Sequence, residues 1–384
     1  ALAEEGVGAV IGPMVTAETV APKAQELGLP LIVMTQKAAI AATGPYIFRN
    51  FMTPEMQMQA LGDYAVNTLG LRRFAILYPQ EPYGNRFMQQ FWRSVAARGG
   101  QVTAVESYDP KKTDFAGPIK KLIGVGAEPS KALAAPALIQ DPHRQLQEQL
   151  NEGGQALAQH LFTSPAAWVM DGYRPSTYKT TGVTLSDRAD EVLPKAEFEA
   201  IFLPDAPRKA GLIIPQLAFY DIRHAQLLGT NLWHSEQLLE MARKYVQGAI
   251  LTDGVYFDEG SGGPAAMFTT AFKAVYAIDP DLIAATAYDT AEILFTILSE
   301  PEIRMRRDIK NRLRQAGPFP GITGPTTFNF MGEARKALHL LQIKGRKFVE
   351  LERLLAAPTA TLPTDPPPKQ AEMPVDGGFS GFLN

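Results

Sequence analysis

Short apolar runs alternate with amphipathic stretches over residues 1–123, and the alternation resumes at Phe198. Runs of β-branched residues and leucine bounded by glycine or proline are typical of strands covered on both faces. The pattern therefore predicts βα units that build parallel sheets. The predicted strands are 7–11, 31–34, 74–77, 102–107, 200–203, 226–228 and 249–251. The predicted helices are 19–27, 54–69, 85–98, 114–123, 208–219, 235–246, 265–277, 282–298 and 303–316.

Three segments depart from this alternation. Residues 124–195 are rich in Ala, Gln, Pro and Gly, which predicts an insertion outside the main sheet with one helix over 143–160. Apolar runs at 326–329 and 337–343 flank the sequence Met-Gly-Glu, which predicts a β-hairpin. Prolines with little apolar content predict a disordered tail over 353–384.

Composition excludes several classes of function. The 384 residues carry 37 basic and 40 acidic side chains, and this net charge of −3 argues against a nucleic-acid binder. The chain has no cysteine, so it has no thiolate metal site, disulfide or cysteine nucleophile. Its five histidines lack metal-ligand spacing, and no nucleophile-elbow motif is present. We therefore expect no metal, no cofactor and no catalysis. No apolar run is long enough to span a membrane.

Several short motifs follow one another in a characteristic order over residues 5–351. They are GAVIGP at 8–13, GLPLIV at 28–33, YIFR at 46–49, FAILY at 74–78, LLGTN at 227–231 and GPTTFN at 324–329. In this order they resemble the type I periplasmic binding proteins, the group of branched-chain amino-acid receptors. More narrowly, PQLAFY at 215–220 and GTNLW at 229–233 resemble a bacterial lipoprotein branch labelled penicillin-binding-protein activator.

The resemblance implies an α/β fold with two Rossmann-like lobes joined by a three-strand hinge. Lobe one would comprise 1–52 and 254–325, and lobe two 53–253 with the hairpin 326–352. Family members begin with a strand–helix–strand unit ahead of the segment that matches Ala1. We therefore expect the first lobe to lack that unit. In such folds the ligand lies between the lobes, at the carboxyl ends of the strands, and the cleft closes on it.

Lobe one offers two hydroxyl residues in loops that follow strands. The resemblance places Thr16 where receptors hold a ligand carboxylate, although Thr16 could equally cap the next helix. In the second loop Ala39 replaces a family threonine, which leaves Thr35 and Lys37 as polar candidates. Lys37 could equally be a solvated surface lysine.

Lobe two offers three further ligand-binding candidates. Tyr83 matches a family tyrosine at the cleft mouth, although it could instead be a turn aromatic that covers the core. Asn231 stands where amino-acid receptors have an acidic residue that pairs with the ligand's ammonium. Asp205 could substitute for it, or could be a loop or N-cap aspartate. Because Asn231 cannot neutralise an ammonium group, a neutral or anionic ligand, or none, fits better than a free α-amino acid.

Two functional hypotheses follow. The first is a noncatalytic cell-envelope protein that binds a small polar ligand by hinge closure and presents it to a membrane transporter. It would be periplasmic or an outer-membrane-anchored lipoprotein. The alternative is a regulator that has lost its ligand and acts by contact with a penicillin-binding protein, a peptidoglycan synthase. The replacement at Ala39, the residue Asn231 and the insertion 124–195 favour this alternative.

Overall fold

The fold is described from a computed structural model, which covers residues 5–37, 39–124, 197–257 and 262–355. The predicted helix 143–160, almost all of the insertion and the tail beyond residue 355 lie outside the described residues. Within the described part of the chain, no helix is both long enough and apolar enough to cross a membrane.

Eleven strands and nine α-helices occur among the described residues. The strands are β1 Val10–Ile11, β2 Leu31–Val33, β3 Ile47–Arg49, β4 Arg73–Pro79, β5 Gln101–Tyr108, β6 Ala200–Phe202, β7 Gln226–Gly229, β8 Ile250–Asp253, β9 Thr326–Phe328, β10 Ala334–Lys344 and β11 Lys347–Leu355. The helices are α1 Ala17–Glu26, α2 Pro54–Asp63, α3 Pro82–Ala96, α4 Ala116–Leu122, α5 Pro207–Phe219, α6 Glu236–Ala242, α7 Pro264–Tyr276, α8 Leu282–Leu298 and α9 Arg306–Gln315.

The larger sheet has eight strands and is mostly parallel. Its order is β11-β10-β8-β7-β6-β4-β5, and β9 pairs with β10 off this path. The five strands β5, β4, β6, β7 and β8 are parallel, whereas β10 runs antiparallel to β8 and β11. The strand order reverses between β4 and β6. In open α/β sheets, this reversal leaves a crevice at the carboxyl ends of the two strands where ligands bind.

The smaller sheet has three parallel strands in the order β1-β2-β3. Its register pairs Val10 with Leu31, and Ile32 with Phe48. Two parallel sheets with flanking helices confirm the predicted α/β class.

Alternating side chains bury the two faces of each sheet. Along β4, Ala75 and Leu77 join the core on one face, whereas Phe74 and Ile76 join the core on the other. In the smaller sheet, Ile32 packs against α8 and α9, and neighbouring positions pack against α1. The two-residue period of a strand thus supplies one buried side chain to each layer in turn.

The connections between the sheets are tightly held. After β3, the Asn50 amide Nδ2 donates to Thr290 Oγ1 at 2.9 Å, and Asn50 is fully buried. The Arg49 Nε donates to Glu333 Oε2 at 2.6 Å, beside the turn that joins β9 to β10. In that turn Gly332 has a φ of +81°, and a Cβ there would overlap the Ile47 carbonyl oxygen. Only glycine fits this position, because it lies in the left-handed region and has no Cβ.

Several element boundaries differ from the sequence prediction. The strand predicted at 7–11 is shorter in the structure, where β1 covers only Val10–Ile11. The helix predicted at 54–69 is α-helical only to Asp63 and continues as a π-helical turn over Tyr64–Thr68. Strands β3 and β11 are not predicted from the pattern. Strand β3 has only two apolar residues before Arg49, so it does not form the continuous apolar run by which the other short strands are predicted. Strand β11 forms by pairing with β10 and runs to Leu355, so residues 353–355 are strand where a disordered tail is predicted.

The hairpin predicted around residues 331–333 is confirmed, since Ala334 pairs with Phe328 in antiparallel fashion. Both residues belong to the apolar cluster that contains Ile32 and Phe48. The residue boundaries of the two lobes remain predictions.

Candidate functional site

Two loops meet at the strand-order reversal of the larger sheet. Glu81 and Tyr83 follow β4, and Asp205 follows β6, the parallel neighbour of β4. The sequence-predicted residues Tyr83 and Asp205 therefore lie at one sheet edge, as their positions after strands predict.

Tyr83 is hydrogen-bonded to the residue that follows β7, two strands away from β4. Its hydroxyl shares a hydrogen bond with Thr230 Oγ1 at 3.0 Å, and its ring lies 4.5 Å from the Phe87 ring, centroid to centroid. Burial is the main cause that raises the pKa of Tyr83 above its ordinary value, so the phenol stays protonated. Tyr83 is half-buried, with one side packed on its helix and the rest accessible.

Both carboxylate oxygens of Asp205 accept hydrogen bonds from other groups of the protein. Its Oδ2 accepts a hydrogen bond from the Tyr108 hydroxyl at 2.5 Å, and its Oδ1 accepts one from the Ala206 N–H at 2.6 Å. The side chain is only 6% exposed, and burial raises the pKa of Asp205 despite these donors. This geometry matches the loop-aspartate interpretation, and a direct contact of Asp205 with ligand remains a prediction.

Asn231 begins a short 3-10 turn directly after β7. Its backbone N–H donates to Gln57 Oε1 at 3.2 Å, and the Thr252 hydroxyl donates to the same oxygen at 3.1 Å. Gln57 is fully buried on α2, and its Nε2 has no hydrogen-bond partner among the described residues. The sequence reasoning missed Gln57, because an isolated glutamine in a helix carries no motif.

On the smaller sheet, Thr16 and Thr35 follow β1 and β2. The Thr16 side chain is exposed and makes no capping hydrogen bond to α1, so the side-chain cap considered for it is not formed. Thr35 is 7% exposed, and its Oγ1 accepts the Lys37 N–H at 3.3 Å. The Lys37 ammonium pairs with Glu18 at 2.7 Å on the surface, which favours the solvated-lysine interpretation.

Two arginines that the sequence reasoning missed converge on the loop after β2. The Arg49 guanidinium donates to the Lys37 carbonyl, and Arg86 Nη1 donates to the Gln36 carbonyl at 3.5 Å. Arg86 lies on α3, beside the larger sheet, so its contact crosses from one sheet unit to the other. It is three residues after Tyr83, a spacing that places both side chains on the same helix face. That spacing is the signal that could have identified Arg86.

The chemistry available at these strand ends is recognition by hydroxyls, amides, aromatic rings and a guanidinium. Among the described residues, no group of three or more His, Cys, Asp or Glu is arranged to hold a metal ion. A separate surface cavity of about 700 Å³ is lined by Leu217, His224 and Tyr245, among others. It lies near the amino ends of β6 and β7, away from all five predicted site residues.

The sequence pattern of one family, described as periplasmic binding protein, matches residues 1–347. The chain belongs to the periplasmic binding protein family. This confirms the resemblance read from the sequence and the two-lobed α/β fold that it implies. The family consists of binding proteins, in line with the expectation of a noncatalytic chain, and its members are periplasmic.

Solved structures with this fold include three transport-related proteins. A putative branched-chain amino acid ABC transporter from Rhodospirillum rubrum is 17% identical with a TM-score of 0.64, covering 90% of this chain and 80% of that chain. The substrate-binding protein LivJ from Streptococcus pneumoniae, in complex with isoleucine, is 19% identical with a TM-score of 0.58. The match covers 92% of this chain and 81% of that chain. A solute-binding protein from R. palustris, in complex with benzoate, is 17% identical with a TM-score of 0.56. The match covers 93% of this chain and 79% of that chain.

At these identities the solved structures show the shared fold. No curated protein sequence matches this periplasmic binding protein. The narrower resemblance to penicillin-binding-protein activators and the absence of a first strand–helix–strand unit remain predictions.

Proposed function

We propose that this periplasmic binding protein captures a small polar organic solute between its two sheet units and delivers it to a membrane transporter. The observation that carries the proposal is the contact between Arg86 and the Gln36 carbonyl at 3.5 Å. It joins a helix of the larger sheet to a strand-end loop of the smaller sheet. A solute bound beside this contact would touch both units, so that binding and closure would be coupled.

The proposed ligand contacts come from both walls. Thr16, Thr35 and loop amides would bind from the smaller sheet, and Tyr83, Asp205 and Asn231 from the larger one. Thr16 has an exposed hydroxyl, and Tyr83 is held in place by Thr230. Preorganised side chains of this kind reduce the conformational entropy that is lost on binding.

The connections between the sheets support a hinge. Residues 50–53, the segment after β8 and strand β10 run from one sheet unit to the other. Buried Asn50 fixes the first of these connections, and Gly332 fixes the turn from which β10 starts. Motion confined to a few connecting residues gives domain closure without repacking either core.

The solved relatives suggest which solutes to screen. Isoleucine and benzoate, the ligands named in two of those structures, differ in size and in the ammonium group, but both carry a carboxylate. For this chain, the proposed class is a neutral or anionic solute, because Asn231 is uncharged and Asp205 faces protein donors.

The proposed location is the periplasm, and a lipid anchor in the outer membrane remains a prediction. For the alternative, a ligand-free regulator that contacts a penicillin-binding protein, neither the structure nor the comparisons supply a supporting observation. We therefore propose the solute-binding role alone.

Thermal unfolding of the purified chain with a panel of amino acids, aromatic and aliphatic acids, and neutral sugars tests the proposal. A solute at a hundred times its Kd stabilises the native state by about 2.7 kcal/mol, which gives a clear rise in Tm. Asn231→Ala should weaken binding of the solute found. The matched control is Asn67→Ala, an exposed asparagine that bonds only to Asp63 among the described residues. An unchanged Tm with every solute would contradict the proposal.

A further inference from the structure

Arg86 is a cation that lacks an acidic partner among the described residues. Its one hydrogen bond there is the long contact with the Gln36 carbonyl, at 3.5 Å. The side chain is solvent-accessible, yet neighbouring atoms desolvate it enough to lower the pKa of Arg86 below its ordinary value, with the Arg49 charge as the second cause. An exposed guanidinium with one long hydrogen bond keeps most of its N–H donors free to bind an anion.

Arg49 already has its anion. Its Nε lies 2.6 Å from Glu333 Oε2, and the Arg49 side chain is only 9% exposed. The same guanidinium also holds the Lys37 carbonyl, which fixes the loop over residues 35–37. The uncompensated positive charge at this loop therefore belongs to Arg86.

The loop that Arg86 contacts also holds a neutral donor, and α3 adds two further favourable features. The Thr35 hydroxyl accepts the Lys37 N–H through its oxygen, which leaves its own O–H available to donate. Arg86 also lies in the first two turns of α3, whose amino-terminal end carries positive partial charge. On the same helix, the half-buried ring of Tyr83 supplies an aromatic surface about one turn away. These groups suit a carboxylate attached to an apolar body.

Asp205 is a poor partner for an ammonium group. Both of its carboxylate oxygens accept hydrogen bonds from the protein, and the side chain is only 6% exposed. Asn231, at the position of the family's acidic residue, is uncharged. These two residues therefore favour an anion over a zwitterion.

We propose that Arg86 binds the carboxylate of a small organic acid without an α-ammonium group, clamping it between the loop over residues 35–37 and α3. This inference rests on the proposed solute-binding function and specifies its ligand class. Guanidinium–carboxylate pairs are strong and geometrically specific, so Arg86 would determine specificity.

Matched pairs of probes test the ligand class by calorimetry and thermal unfolding. They are 4-methylpentanoate with leucine, 3-phenylpropionate with phenylalanine, and benzoate with benzamide. The first member of each pair is the acid; its partner either adds an α-ammonium group or removes the charge. We expect at least one of the acids to bind and its partner to bind at least about ten-fold more weakly.

Variants then test the residue. Arg86→Gln should weaken binding of the acid by about ten- to a hundred-fold, and Arg86→Lys should restore part of it. The control is Arg346→Gln, an exposed arginine in the β10–β11 turn, near the amino end of β8 and thus at the opposite sheet edge. Circular dichroism of each variant checks that the fold is retained.

The outcomes separate the two proposals. Three results would each overturn the inference and leave the solute-binding function standing. They are tighter binding of an amino acid than of its deaminated acid, unchanged affinity in Arg86→Gln, and binding of a neutral solute but of no acid. Absence of binding by every probe and every member of the wider solute panel would overturn both.

Discussion

The core of the larger sheet and helix α7 are packed to very different degrees. In the larger sheet, Phe74, Phe91 and Phe202 are fully buried between strands and helices. Helix α7 contacts α8 through the rings of Phe268 and Tyr288, but it has no buried residue, and Met267 on it is 71% exposed. The core of the larger sheet therefore contributes far more packing energy than α7 does.

The two walls of the proposed cleft differ in the same way. On the larger sheet, Tyr83 is bonded to Thr230, and Asp205 is bonded to Tyr108. On the smaller sheet, the Thr16 hydroxyl is exposed and makes no capping bond. A preorganised wall facing one that is less constrained at Thr16 suits a protein that closes on its ligand, because most of the ordering cost then falls on one side.

The largest expected effect is on the core of the larger sheet. Phe202 is fully buried, and its ring stacks on Phe91 at 4.3 Å. Phe202→Ala should lower the free energy of unfolding by about 3–5 kcal/mol, because it removes apolar contacts and leaves a cavity. Met267→Ala on α7 should change it by about 0.5 kcal/mol or less. Urea denaturation of both variants measures the contrast, and equal losses would show that the core of the larger sheet and α7 do not differ in packing.

An intermediate effect on stability is expected from the buried carboxylate of Asp289, which links α8 to the loop before β9. Asp289 on α8 is fully buried, and its carboxylate accepts hydrogen bonds from the Ile322 N–H at 2.7 Å and the Thr323 N–H at 2.9 Å. Asp289→Asn places an amide donor against these donors and should cost about 1–3 kcal/mol.

The control for this variant is Asp279→Asn, which breaks only the exposed ion pair with Lys273 and should cost about 0–1 kcal/mol. The measurement is the free energy of unfolding in urea at neutral pH. Equal costs for the two substitutions would show that the buried hydrogen bonds of Asp289 do not stabilise the smaller unit.

The smallest effect is the pH dependence of the cleft wall. Burial, followed by the Asp205 charge, raises the pKa of Glu81 from its ordinary 4.5, although Lys209 opposes this shift. The native state then binds the proton more tightly than the unfolded state does. Glu81 therefore costs stability as the pH rises from 4.5 through the raised pKa, and it has no effect below 4.5.

Glu81→Gln removes this contribution. Its Tm relative to that of the wild type should therefore increase as the pH rises from about 4 to about 7, with the difference smallest at the acidic end. Thermal unfolding across that range measures it. If the difference in Tm between Glu81→Gln and the wild type is the same at every pH, folding does not raise the pKa of Glu81. The charge of Glu81 then does not destabilise this wall of the cleft.

The sequence by itself determined the fold class and the parts of the site that are local. Continuous apolar runs bounded by glycine or proline, with amphipathic stretches between them, predict βα units, because strands covered on both faces bury every side chain. Asp205 is identified from its position after a strand, whereas Tyr83 and Asn231 are identified from positions that match motifs of the resembled family. The order of short motifs indicated the family that the whole-chain comparison shows.

Only the tertiary structure decided how these residues are used. The sequence does not show that the Tyr108 hydroxyl donates a hydrogen bond to Asp205, or that Gln57 accepts one from the Asn231 N–H. Nor does it show that Arg86 contacts the Gln36 carbonyl in the other sheet unit. Each of these contacts joins residues 50 or more positions apart. The physical reason is that hydrogen bonding and charge compensation depend on distances that chain folding sets, whereas periodicity records only which face of an element is buried.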